Sequence, residues 1–192
     1  VLRGQDAESA CPPDEVINAQ GCYLLPGVID THVHFRDPGL THKADMKSES
    51  RAAAAGGVTT VLDMPNVVPQ TTTDAAPAPK EGIAAERGVA AIKVFMGSST
   101  GNMLVDHEEV LARLFDNSRL PIVTHCEDTT LINLAMKKCQ AVNGPDPAVR
   151  FHAQIRSAEA CYRSTELAVR LAHEYDTRLH VAHLSTAREL EL

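Results

Sequence analysis

The 192-residue sequence has no tryptophan, and its aromatic residues amount to 4 %. So few rings leave little with which to stack bases, which argues against a single-stranded nucleic-acid platform. Positive charge is scarce as well: 18 Lys and Arg stand against 25 Asp and Glu, a net charge of −7. That balance excludes the basic footprint of a protein that binds phosphate backbones. No apolar run approaches the roughly 18 residues of a membrane span. The opening Val1-Leu2-Arg3-Gly4-Gln5-Asp6-Ala7-Glu8 holds no apolar segment of the signal-peptide kind and no initiator Met. The chain is therefore read as starting inside a longer protein. Its five cysteines (Cys11, Cys22, Cys126, Cys139, Cys161) form no Cys-x-x-Cys pair. They read as free thiols, and the expected compartment is the reducing cytoplasm.

What is present suits a globular chain. Hydrophobic residues make up 44 %, enough for one domain with a sizeable core. Residues 1–22 read as the remnant of a small β element. Within it, Val16–Ala19 and Cys22–Leu25 are expected as short strands around a turn at Gln20-Gly21. Residues 23–192 alternate between strand-like and helix-like segments, the pattern of a parallel α/β fold.

Strands are expected near 27–35, 58–64, 90–96, 121–125 and 178–183. Helices are expected at 44–55, closed by Gly56-Gly57, and at 80–87. Another should start at Asp106 as N-cap, with Glu109 as its reciprocal partner. Two more are expected at 128–140 and, broken once, from Pro147 to Tyr175. Five strand–helix units fall short of a closed (β/α)8 barrel, which needs eight. The pattern fits either a small doubly wound sheet or an incomplete barrel.

Polar residues sit where such strands end. In Asp30-Thr31-His32-Val33-His34-Phe35-Arg36-Asp37-Pro38-Gly39, residues two apart on a strand share a face. His32 and His34 would leave the strand side by side, a chelate for a borderline metal such as zinc. The next strand ends at Asn66, and later ones end at His125 and His183. Ligands of parallel α/β folds collect at these ends. His180 is expected to face away from that rim.

Lys93 lies inside the apolar Ala91-Ile92-Lys93-Val94-Phe95-Met96. It either snorkels or is desolvated, with a lowered pKa. A desolvated lysine is nucleophilic and can take up CO₂ as a carbamate, a carboxylate-like ligand. Gly97-Ser98-Ser99-Thr100-Gly101 lacks the Gly-Lys-Ser/Thr of a phosphate-binding P-loop and reads as an active-site loop. Cys126 beside His125 does not read as a nucleophile, because neighbouring strand residues point to opposite faces.

These residues together resemble the amidohydrolase superfamily and, within it, the dihydroorotases. The resemblance rests on Pro26-Gly27-Val28-Ile29-Asp30-Thr31-His32-Val33-His34-Phe35-Arg36-Asp37-Pro38-Gly39 and on Asp63-Met64-Pro65-Asn66. It extends to Ile92-Lys93-Val94-Phe95-Met96-Gly97-Ser98-Ser99-Thr100-Gly101, His125-Cys126-Glu127-Asp128 and His183-Leu184-Ser185-Thr186-Ala187. It implies a TIM-type (β/α)8 barrel of the metal-dependent hydrolase kind, incomplete in this chain.

The same resemblance implies two zinc ions, one on His32 and His34, the other on His125 and His183, bridged by carbamylated Lys93. Arg36 and Asn66 would bind the carboxylate of a small anionic substrate. The implied reaction interconverts dihydroorotate and N-carbamoyl-L-aspartate, a step of pyrimidine synthesis, by attack of a metal-bridging hydroxide. Against the family, the last two strands and their metal-binding aspartate are missing, as is one strand–helix unit before Lys93. Low or no activity is therefore expected of the chain as it stands. An allantoinase- or hydantoinase-type cyclic amidase and a non-catalytic scaffold subunit are the alternatives. No nucleic-acid or membrane partner is expected, and a homodimer is left open.

Overall fold

The computed structural model describes residues 14–68, 90–98 and 103–192. Five short strands alternate with helices: β1 (Val28–Val33), α1 (Met46–Ala55), β2 (Val58–Asp63), β3 (Ile92–Phe95), α2 (Glu108–Asn117) and β4 (Ile122–His125). They continue with α3 (Thr129–Asn143), α4 (His152–Ile155), α5 (Ala158–Glu174) and β5 (Leu179–Val181). Single 3-10 turns stand at Val149–Phe151 and Ala187–Glu191. All described pairings are parallel, β1 with β2 in one sheet and β3-β4-β5 in a second. The architecture is an incomplete α/β barrel. Among the described residues no helix is long and apolar enough to cross a membrane.

The core lies between the second sheet and two helices. Val94 and Ile122 meet Leu111 and Phe115 of α2 and Ala168 and Leu171 of α5. Leu111 and Phe115 are four apart, and α5 buries Ala160, Ser164, Ala168 and Leu171 at helical spacing. The register sets Lys93 beside Val123 and Phe95 beside His125, with Val94 beside Thr124. Alternation thus sends Val94 and Thr124 to the helices and leaves Lys93 and His125 on the opposite face. Cys126 is buried on the helix side with Val94 and Met96, so its thiol is a core group.

Several expectations are corrected. Residues 16–25 hold the turn, closed by Cys22 N–H donating to the Ala19 carbonyl at 2.9 Å, but no strand. Val16, Ile17, Tyr23 and Leu24 are exposed and no described segment pairs with them. Helix α2 takes His107 as N-cap with no side-chain cap bond, one residue beyond the expected Asp106. Pro147 precedes a 3-10 turn rather than opening a helix. The break in the long helical stretch falls at Arg156-Ser157, between α4 and α5. The expected helix at 80–87 and residues 99–101 of the Gly/Ser loop lie outside the described residues.

Candidate active site

The site begins where β1 and β2 end together. Asp63 accepts from the Phe35 N–H at 3.0 Å and from the Met64 N–H at 2.9 Å, tying the two strand ends to one carboxylate. His32 and His34 emerge there on one face with ring centroids 5.2 Å apart. Asn66 is buried, and its side-chain oxygen accepts from Nδ1–H of His34 at 2.7 Å. That bond places the His34 proton on Nδ1 and leaves Nε2 with a free lone pair.

Arg36 turns back onto the same corner. Its φ is 64°, left-handed for a residue with a side chain, and its Nη1 lies 3.5 Å from the Asn66 carbonyl oxygen. The following turn is held by Leu40 N–H donating to the Arg36 carbonyl and Val68 N–H to the Pro38 carbonyl. Gly39 permits this approach: its φ is +85°, and a Cβ there would stand 2.0 Å from the Val68 carbonyl oxygen.

The second sheet supplies the facing wall. Lys93 does not snorkel. Its Nζ is buried, has no hydrogen-bond partner among the described residues, and lies 5.2 Å from the centroid of the Phe95 ring. Burial pulls the ammonium down from 10.5 to about 8. His183 arrives from the end of β5, its ring 5.3 Å from that of His32 and 4.8 Å from that of His125. Nδ1 of His125 stands 3.0 Å from Nε2 of His183.

His32 is held down to about 4, first by burial and then by the charge of Lys93. Burial is also the leading cause that lowers His34 and His183. At neutral pH these three rings are therefore neutral, the form that ligates metals. A cavity of about 300 Å³ opens beside His125 and His183, lined also by Glu127, Arg156, Ser185 and Glu189 among others.

The structure thus gathers His32, His34, His125 and His183 from three strand ends, with Arg36 and Asn66 at one side. Lys93, inside β3, is close enough for its charge to act on His32, His34 and His183. By donor type, four imidazoles and a desolvated amine suit zinc. Lys93 Nζ, buried with no hydrogen bond among the described residues, is the atom a carbamate would relieve. Among the described residues no three His, Cys, Asp or Glu side chains close on a single point. The nitrogens of His125 and His183 face each other instead.

His180 departs from expectation. The register sets it beside Val123, on the face of Lys93 and His125, and it is exposed. Strict alternation would then send His183, three residues on, to the opposite face. The chain turns at Ala182-His183, where His183 has φ 40°, and this swings the ring back to the site.

Reading by residue type missed Glu127 and Arg156. Buried Glu127 accepts from Nε2 of His125 at 2.7 Å and from Nε of Arg156 at 2.8 Å, with a second, very close contact to Nη2 of Arg156. Burial pushes the Glu127 carboxyl up, but the bonds from His125 and Arg156 and the Arg156 charge outweigh it and hold it down to about 2. One signal was available: Glu127 lies two residues after His125.

Comparison with known proteins bears on the family and the fold. The model described as "Amidohydrolase family" matches residues 23–191. The chain is 31 % identical to a dihydroorotase of Methanosphaera stadtmanae, over 93 % of this chain and 46 % of the relative. It is 36 % identical to a dihydroorotase of Methanothermobacter thermautotrophicus, over 93 % of this chain and 45 % of the relative. Among solved structures, an L-hydantoinase (dihydropyrimidinase) from Arthrobacter aurescens superposes with a TM-score of 0.80 at 26 % identity, covering 95 % of this chain and 47 % of that one. The chain spans about half the length of the curated relatives it matches.

Proposed function

This chain belongs to the amidohydrolase family, and from that premise we propose that it serves a zinc-dependent dihydroorotase, opening and closing a cyclic amide between dihydroorotate and N-carbamoyl-L-aspartate in pyrimidine synthesis. The observation that carries the reading is the row of ring contacts joining His34, His32, His183 and His125, with the charge of buried Lys93 felt by His32, His34 and His183. His32 and His34 would hold one zinc ion, His125 and His183 the other, and carbamylated Lys93 would lie between them. When bound, the zinc ions supply Lewis acidity to the ring carbonyl and lower the pKa of the attacking water.

The chain's own groups do the rest. Asn66 keeps the His34 proton on Nδ1, so Nε2 is free to ligate. Lys93, neutral above about pH 8, attacks CO₂ through its lone pair. An N–C bond forms, one C–O π bond of CO₂ opens onto oxygen, one proton leaves the nitrogen to solvent, and the neutral amine becomes a carbamate anion. Arg36, braced on Asn66, offers a planar fork to the substrate carboxylate. The dihydroorotase relatives favour this substrate over hydantoins. The free thiols Cys22, Cys126, Cys139 and Cys161 suit a reducing cytoplasm.

The test loads the full-length protein that contains this chain with zinc in bicarbonate buffer and compares its turnover of dihydroorotate, hydantoin and allantoin. Preferred turnover of dihydroorotate supports the reading. Equal or faster turnover of hydantoin or allantoin replaces it with another cyclic amidase. A protein that takes up no zinc with CO₂ present is a scaffold.

A further inference from the structure

We propose that Glu127, gripped by Arg156, is a positioning residue that sets the tautomer and ring orientation of His125. A carboxylate only accepts hydrogen bonds. With Oε2 of Glu127 2.7 Å from Nε2 of His125, the ring proton must sit on Nε2. Nδ1 is then left with its lone pair, and Nδ1 is the atom 3.0 Å from Nε2 of His183. The tautomer chosen by Glu127 is therefore the one that aims a free nitrogen at the neighbouring histidine.

Glu127 is itself fixed on every side. Arg156 spans both carboxylate oxygens, through Nε and Nη2. Arg156 lies at the break between α4 and α5, where its own N–H donates to the His152 carbonyl at 2.8 Å. On the backbone side, Gly97 approaches so closely that a Cβ would stand 2.0 Å from the Glu127 carbonyl oxygen. Asp128 N–H donates to the Ala160 carbonyl at 2.9 Å, stitching the segment to α5. An ion pair needed only for stability would be complete with Glu127 and Arg156. The third bond, to His125, gives the pair a task in the site. This goes beyond the ligand set above, and its zinc arm rests on that reading.

The experiment uses the 192-residue chain labelled with ¹⁵N-histidine, metal-free at neutral pH. Long-range ¹H–¹⁵N correlations report the His125 tautomer, and competition with a chromophoric chelator reports zinc affinity. The unmodified chain is expected to hold His125 in the Nε2–H form. In Glu127→Gln, whose amide can donate to Nε2, the Nδ1–H form should appear, and zinc affinity should fall about 10- to 100-fold. Glu127→Asp keeps the charge but shortens the reach, and should give a smaller loss with the Nε2–H form retained. If Glu127→Gln does not fold, Arg156→Lys carries the test: Glu127 stays an acceptor but loses its two-pronged grip, so the Nε2–H form should remain while zinc affinity falls, and an unchanged affinity overturns the positioning role. An Nδ1–H form in the unmodified chain overturns the proposal. So does an unchanged tautomer in Glu127→Gln with affinity within about twofold, below the usual effect of losing such a partner. Absence of zinc binding by the unmodified chain counts against the metal centre, while the tautomer still decides the role of Glu127.

Discussion

Nδ1 of His125 and Nε2 of His183 lie 3.0 Å apart although 58 residues separate them in sequence. Two lone pairs at that distance repel, so a proton or a cation belongs between them. If zinc takes that place, His125→Ala and His183→Ala should each lower zinc affinity by more than about 100-fold, the upper effect of losing a mere outer partner. Chelator competition measures this. An unchanged affinity in either variant would remove that histidine from the ligand set.

Lys93 should react with CO₂. Its nitrogen is buried, has no hydrogen-bond partner among the described residues, and is drawn down to about 8. With zinc and ¹³C-bicarbonate, a carbamate resonance is expected to grow as pH rises through that value and to be missing in Lys93→Ala. A spectrum of the zinc-loaded chain without that resonance at any pH would count against the carbamate.

Acid should destabilise the metal-free chain in a defined window. The folded state holds His32 at about 4 against an unfolded value of 6.5. Between those values the unfolded chain binds more protons, so stability rises with pH across the window and is lost as pH falls through it. His34 and His183 shift in the same direction. Glu127, held at about 2 against 4.5, adds a loss at still lower pH. Urea unfolding at several pH values tests this, and a flat profile from pH 4 to 6.5 would contradict it.

Gly97→Ala should cost about 1–3 kcal/mol, the usual range for forced overpacking. The added carbon meets a backbone oxygen at 2.0 Å, so a strand end must move rather than a side chain. Because that oxygen belongs to Glu127, zinc affinity should fall with stability. Urea titration with and without zinc separates the two effects, and an unaffected midpoint would show that the loop yields freely.

Much of this was legible in the residues. The β-branched run Val58-Thr59-Thr60-Val61 formed β2. The two-residue spacing of His32 and His34 put both rings on one face, as strand geometry requires. Asp128 caps α3 through the Leu131 N–H at 2.8 Å, as a short acceptor before a helix should. The paired strands expected at 16–25 did not form, because β propensity needs a partner edge and the described residues supply none. The cap of α2 moved by one residue, to His107, which makes no side-chain cap bond.

The sequence by itself determined the chemistry on offer: imidazoles and an amine at strand ends, an arginine two residues beyond a histidine pair, and too little positive charge for nucleic acid. Strand periodicity is local, so spacing alone could reveal these. Which nitrogen of each ring is free was decided only in three dimensions. That choice depends on Asn66 reaching His34 across 32 residues and Arg156 reaching Glu127 across 29. The arrival of His183 depended on a left-handed turn that breaks strand alternation. A tautomer follows the partner of the opposite nitrogen, and only the folded chain brings that partner near.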